Sequence, residues 1–146
     1  MEWTEFEQRF CWFIEKKERE KTIQALQVFA KKAPDEVFKD LEVWIIGPSH
    51  LSGCAWKSPS HQWYIYLDPS LETDTLEQVT FTVAHEFAHV FLKHIGHPAV
   101  SNEMPYDERF QEWEANELAK SWGFYNPDEK QGYLYRFWTR EGNLWD

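Results

Sequence analysis

Between Thr75 and Ile95 the chain carries Leu76, Val79, Phe81, Val83, Ala84, Phe87, Ala88, Val90, Phe91 and Leu92, spaced so that nearly every side of a helix is apolar. A helix of that kind belongs in an interior, so the rest of the fold has to be built around it. Set into its middle is His85-Glu86-Phe87-Ala88-His89. Polar groups in such a place need partners. On a helix, residues four apart lie one turn above each other, so the two imidazoles project from one face and can share a metal ion. Glu86 stands about 100° round from His85, which puts its carboxylate beside a shared ion, where it can take a proton from a bound water. Two neutral imidazoles, a carboxylate and one open position form the catalytic arrangement of zinc, so Zn2+ is the expected ion.

Two histidines do not complete such a site, and the third ligand must come from further along the chain. Tyr106–Gly123 reads as a second helix that offers Glu112, Glu114 and Glu117. With Glu112 as origin, Ala115, Asn116, Ala119, Trp122 and Gly123 share or adjoin its face, whereas Glu114 and Glu117 lie on the other side with Ser121. Small residues let another helix approach closely, so Glu112 is the favoured third ligand, with Glu114 as the alternative. Asn116, one turn beyond Glu112, is placed to hydrogen-bond a ligand from behind. His94 and His97 do not complete an H-E-x-x-H-x-x-G-x-x-H set, because Leu92 stands where the glycine belongs and Ile95 where the last histidine belongs.

Upstream, Trp3, Phe6, Phe10 and Phe13 recur every three or four residues. Ile23, Leu26, Phe29 and Ala30 resume the pattern, predicting one long helix or two abutting ones that end near Pro34. From Leu41 the period changes. Leu41–Ile46, Cys54–Lys57 and Gln62–Leu67 read as short strands bounded by Gly47-Pro48, Gly53 and Asp68-Pro69, and their tight connections predict a small antiparallel sheet or meander. Thr73 and Asp74 offer caps for the buried helix, Asp74 and Glu77 have capping-box spacing, and Gly96 can close the far end. Lys130–Trp145 reads as a short third helix or a tail.

A chain of 146 residues makes one ordinary domain with room for a core. Its 9 Trp, 11 Phe and 6 Tyr are more rings than so small a core can hide, so some remain partly exposed. A formal charge of −10 argues against a nucleic-acid footprint, and an acidic surround favours basic substrates or partners. Cys11 and Cys54 are too few for a disulfide framework. The start lacks the basic and apolar regions of a signal peptide, and Val43–Trp56, an uncharged stretch of 14 residues, is interrupted by Pro48 and Gly53. The expectation is a cytoplasmic protein with no membrane association.

His85-Glu86-Phe87-Ala88-His89, followed 23 residues after His89 by Glu112-Trp113-Glu114-Ala115-Asn116-Glu117-Leu118-Ala119, resembles the ImmA/IrrE-type metallopeptidases. These are small gluzincins with an H-E-x-x-H helix and a later E-x-x-A-N/D helix. The resemblance covers residues 41–123. It implies an α+β, zincin-like fold: an N-terminal helix, a small three-stranded sheet, the buried H-E-x-x-H helix, the glutamate helix and a C-terminal helical tail. One domain over residues 1–146 would then comprise an N-terminal helical region (3–33), a catalytic core (41–123) and a tail (124–146). Residue by residue, it implies zinc on His85, His89 and Glu112, Glu86 as general base, and a protein or peptide as substrate. Beyond the second motif, the family's apolar ending is replaced by Lys120-Ser121-Trp122-Gly123-Phe124. The rival reading is a zinc-stabilised protein-binding module without turnover, and Glu86 speaks against it, since a structural ion needs no base. Tyr106, His94 and His97 are candidate oxyanion donors, and Gln62–Leu67 is a candidate strand for pairing with an extended substrate.

Overall fold

The computed structural model describes residues 1–11, 14, 16–46, 53–57, 63–94 and 106–127, with backbone alone for 53–57 and 106–109. Gly96, His97, the side chain of Tyr106 and the expected tail Lys130–Trp145 lie outside the described residues. Helices α1 (Trp3–Phe10) and α2 (Glu20–Lys32) precede strands β1 (Val43–Ile46), β2 (Gly53–Lys57) and β3 (Trp63–Leu67). Helices α3 (Leu76–Phe91) and α4 (Tyr106–Ser121) follow. The architecture is α+β and of the zincin-like type. None of the described helices is long and apolar enough to cross a membrane.

As its sequence requires, α3 is central: α2 and α4 pack on it, and so does the sheet, chiefly through β2. Val79, Val83, Ala84, Phe87, Ala88 and Val90 are all buried. Phe87 enters a knot of four other rings contributed by three segments. Its centroid lies 5.9 Å from Phe6, 5.8 Å from Phe10, 4.5 Å from Phe29 and 6.3 Å from Phe38, mostly in the tilted and edge-on arrangements that aromatic quadrupoles favour. On the α4 side, Ala115 and Ala119 are fully buried, so the small-residue face read from the sequence is the packed one.

The N-terminal region resolves as two helices rather than one: between them Glu18 takes a left-handed φ of 60°, which a continuous right-handed helix does not allow. Glu72 caps α2 from outside. Arg19, at the N-cap, supplies no side-chain acceptor, and the Glu72 carboxylate instead accepts from the N–H of Lys21 at 2.9 Å and of Thr22 at 2.7 Å, and from the Thr22 hydroxyl at 2.5 Å. Glu72 lies in the 3-10 turn Pro69–Thr73 that leads into α3, so this contact ties the two helices' starts together.

The sheet is not the meander expected. Its order is β1-β3-β2, with β3 antiparallel to β2 but parallel to β1 in the register Ile45↔Ile65. Alternation in sequence reports which face a residue takes, not which strand it pairs with. β3 takes the middle with Ile65 and Leu67 fully buried. β2 and its two connections provide the long crossover that parallel pairing of β1 with β3 demands.

The cap of α3 falls one residue later than expected. Asp74 closes the preceding turn through its N–H, and Thr75 is the N-cap: Thr75 Oγ1 accepts from the Gln78 N–H at 3.1 Å, and Gln78 Oε1 accepts from the Thr75 N–H at 2.9 Å. The other end also differs. The helix stops before Gly96, at Lys93, whose φ of 59° is left-handed. The N–H of Lys93 donates to the Val90 carbonyl and that of His94 to the His89 carbonyl, the paired bonds of a Schellman turn. A second such turn closes α4 on Gly123, φ 97°, where the sequence placed the stop.

Candidate metal centre

α3 carries His85 and His89 one turn apart, and α4 brings Glu112 across to meet them. Glu112 Oε2 lies 2.7 Å from His85 Nε2, Glu112 Oε1 lies 3.1 Å from His89 Nε2, and the two Nε2 atoms are 3.0 Å apart. The rings stand edge to face, at 89°. This is a group of His85, His89 and Glu112 that could hold a metal ion. Bonds of about 2.0–2.1 Å in a tetrahedral site put ligand atoms roughly 3.3 Å apart, so these donors need to open by only a few tenths of an ångström. The histidine side chains are 13 % and 9 % exposed against 32 % for Glu112, so the cluster faces solvent on the α4 side.

The charges are those of a site that prefers a cation at its centre. Burial pushes the His85 imidazole down, but the Glu112 carboxylate, by its charge and its hydrogen bond, raises it to about 9. Glu112 is held far below the usual carboxylate range despite its burial, first by the charge of His85 and then by hydrogen bonds from both imidazoles. His89 is lowered, chiefly by burial. The opposite directions of the two shifts are those of a His85–Glu112 ion pair.

Glu86 is not part of the cluster. Burial, with Glu112 adding and His85 opposing, pushes its carboxyl up to about 7. Among the described residues neither Glu86 Oε2 nor His85 Nδ1 has a hydrogen-bond partner, although both atoms are buried. Asn116 adds to the rise of His85, as its position one turn past Glu112 anticipated, without bonding Nδ1.

Glu114, the alternative third ligand, is not brought to the cluster. Its Oε1 lies 3.1 Å from His94 Nε2, and His94 Nδ1 lies 3.0 Å from His89 Nδ1. The sequence reading weighed His94 as an oxyanion donor. The Schellman turn folds His94 back beside the helix end, where its two ring nitrogens meet His89 and Glu114, while the Glu114 side chain stays 36 % exposed. Of the other oxyanion candidates, His97 and the Tyr106 side chain are outside the described residues.

A family model described as the IrrE N-terminal-like domain, of the M78 peptidases, matches residues 46–122, more than half of the chain. That span holds β2, β3, α3 and α4, and with them every residue of the cluster. Neither the curated proteins nor the solved structures gave a match.

Proposed function

The chain belongs to the IrrE N-terminal-like family of metallopeptidases, and on that premise we propose that it is a zinc-dependent gluzincin that cleaves a protein substrate. His85, His89 and Glu112 hold the zinc, and Glu86 is the general base. The observation that carries this reading is the buried Oε2 of Glu86, which has no hydrogen-bond partner among the described residues and lies on the same helix as two ligands. A bare carboxylate oxygen in such a place costs stability and adds nothing to a structural site.

Zinc, when bound, is a Lewis acid that brings the pKa of a coordinated water towards ~7 and polarises the scissile carbonyl. Glu86, a buried carboxylate beside the ligands on α3, is placed to take a proton from the attacking water and return it to the departing amine. His85, His89 and Glu112 fix the position of the reacting centre, and Phe87 in its aromatic knot fixes them.

The middle strand of a sheet has no free edge, so β3 is not available to pair with substrate, contrary to the sequence reading. β2 lies at an edge of the sheet and packs on α3, which supports it as the strand along which an extended peptide lies. The charge of −10 favours a basic protein segment and disfavours nucleic acid.

The test is cleavage of a panel of unfolded proteins by the zinc-loaded chain, with products read by mass spectrometry, beside Glu86→Gln. The expected result is a loss of about a hundredfold or more in the variant, the scale of general-base catalysis. Equal cleavage by the variant rejects the mechanism. No cleavage by either, with zinc bound, favours the binding module.

A further inference from the structure

We infer that Glu114 and His94 form a relay that fixes the tautomer of His89, so that the bare Nε2 of His89 faces the metal. The inference rests on the metal-site reading above and adds two positioning residues to it. Its geometry is two contacts in series: Glu114 Oε1 to His94 Nε2 at 3.1 Å, and His94 Nδ1 to His89 Nδ1 at 3.0 Å.

A contact between two imidazole Nδ1 atoms needs one proton between them, and either ring can carry it. In the absence of a metal Glu112 Oε1, 3.1 Å from His89 Nε2, accepts the proton of that nitrogen; with a cation there Nε2 must be bare, and the group at the far end of the relay then decides where the other protons lie. A carboxylate only accepts, so His94 must carry its proton on Nε2 and donate it to Glu114. His94 Nδ1 is then bare and accepts from His89, which must carry its proton on Nδ1. That leaves the lone pair of His89 Nε2 directed at Glu112 and His85, where a cation would bind. The reverse assignment would put an N–H in the metal's place.

The backbone supports the same assignment. His94 is only 7 % exposed, and the turn that places it beside His89 puts Lys93 in the left-handed region, which a residue with a Cβ adopts at a cost. Glu114 sits two residues from Glu112, so its side chain leaves α4 in a different direction. One helix therefore supplies a ligand to the metal directly and an acceptor to the back of a second ligand. Both histidines thus meet α4: His85 through Glu112, and His89 through His94 and Glu114.

The test is zinc affinity, measured by competition with a chromophoric chelator, for wild type, Glu114→Ala, Glu114→Gln, His94→Ala and, as a control, Glu117→Ala on the exposed side of α4. The two alanine variants of the relay should bind zinc about 10–100-fold more weakly, the scale of losing support behind a histidine ligand. Glu114→Gln, which keeps an acceptor oxygen, should recover most of the affinity, and Glu117→Ala should stay within about twofold of wild type. Melting of the metal-free proteins separates positioning from structure, since a purely structural role lowers the melting temperature without a selective loss of zinc. In the zinc-loaded wild type, 15N spectra of the imidazoles should place the His94 proton on Nε2 and the His89 proton on Nδ1. Unchanged affinity in both Glu114→Ala and His94→Ala, or a His94 proton on Nδ1, overturns the relay and leaves the metal site standing. A wild type that binds no zinc overturns both.

Discussion

The two faces of α3 are built on opposite terms. On one, Phe87 is held by rings from α1, from α2 and from the segment after it, with no polar group to satisfy. On the other, His85, Glu86 and His89 crowd like and unlike charges together, and two buried polar atoms have no hydrogen-bond partner among the described residues. Neither face is intelligible alone. A set of groups that would relax if free can persist only where the helix carrying it is over-determined from behind, and the aromatic knot supplies that constraint. In the five-residue motif the spacer Phe87 is thus as consequential for geometry as the residues it separates.

The contrast can be broken from either side. Glu86→Gln should cost about 100–10,000-fold in cleavage, read as kcat/KM on an unfolded substrate, while zinc content stays at wild type. Phe87→Ala attacks the other face and should lower stability by about 3–5 kcal/mol in denaturant titration, the usual cost of emptying a buried ring site. Activity at temperatures where the variant is still folded would show how far the knot sets the geometry of the site.

Two smaller effects sharpen the comparison. Glu72 joins the start of α2 to the turn before α3, and Glu72→Gln should cost about 1–2 kcal/mol at pH 7, the scale of a charged helix cap. Burial raises the Glu72 carboxyl, but hydrogen bonds from Thr22 and from the backbone of Lys21 and Thr22, with the charge of Arg19, more than offset it and hold it below its ordinary value. The folded state therefore favours the ionised form. Its contribution is complete above the unfolded value of about 4.3 and disappears as the pH falls through the lower folded value, so the variant's deficit should shrink towards pH 3. Lys93→Gly should be the mildest change, raising stability by up to about 1 kcal/mol, because glycine takes the left-handed position without the Cβ clash.

The parts of this arrangement that were legible in the sequence are those written in a single helix. The burial of α3, the placing of His85 and His89 on one face and the preference for Glu112 over Glu114 and Glu117 all follow from 3.6 residues per turn and from the small residues Ala115 and Ala119. The sheet order did not follow, since β1, β2 and β3 show faces but not neighbours. Nor did the ends of α3. The cap moved from Asp74 to Thr75 because Asp74 was already used by the preceding turn, and a lysine, rather than a glycine further on, took the left-handed stop. That stop is what hid Glu114. Its side chain lies on the side of α4 away from Glu112, and only the turn at Lys93, which no periodicity encodes, brings His94 round to meet it.

The central claim is that α3 and α4 together make one zinc site, and metal content tests it most directly. Elemental analysis of purified wild type, Glu112→Gln and Glu117→Gln after exposure to excess zinc and removal of the free ion should give one zinc per chain in wild type and Glu117→Gln and a clear loss in Glu112→Gln. Equal zinc in all three, or none in the wild type, would contradict the site.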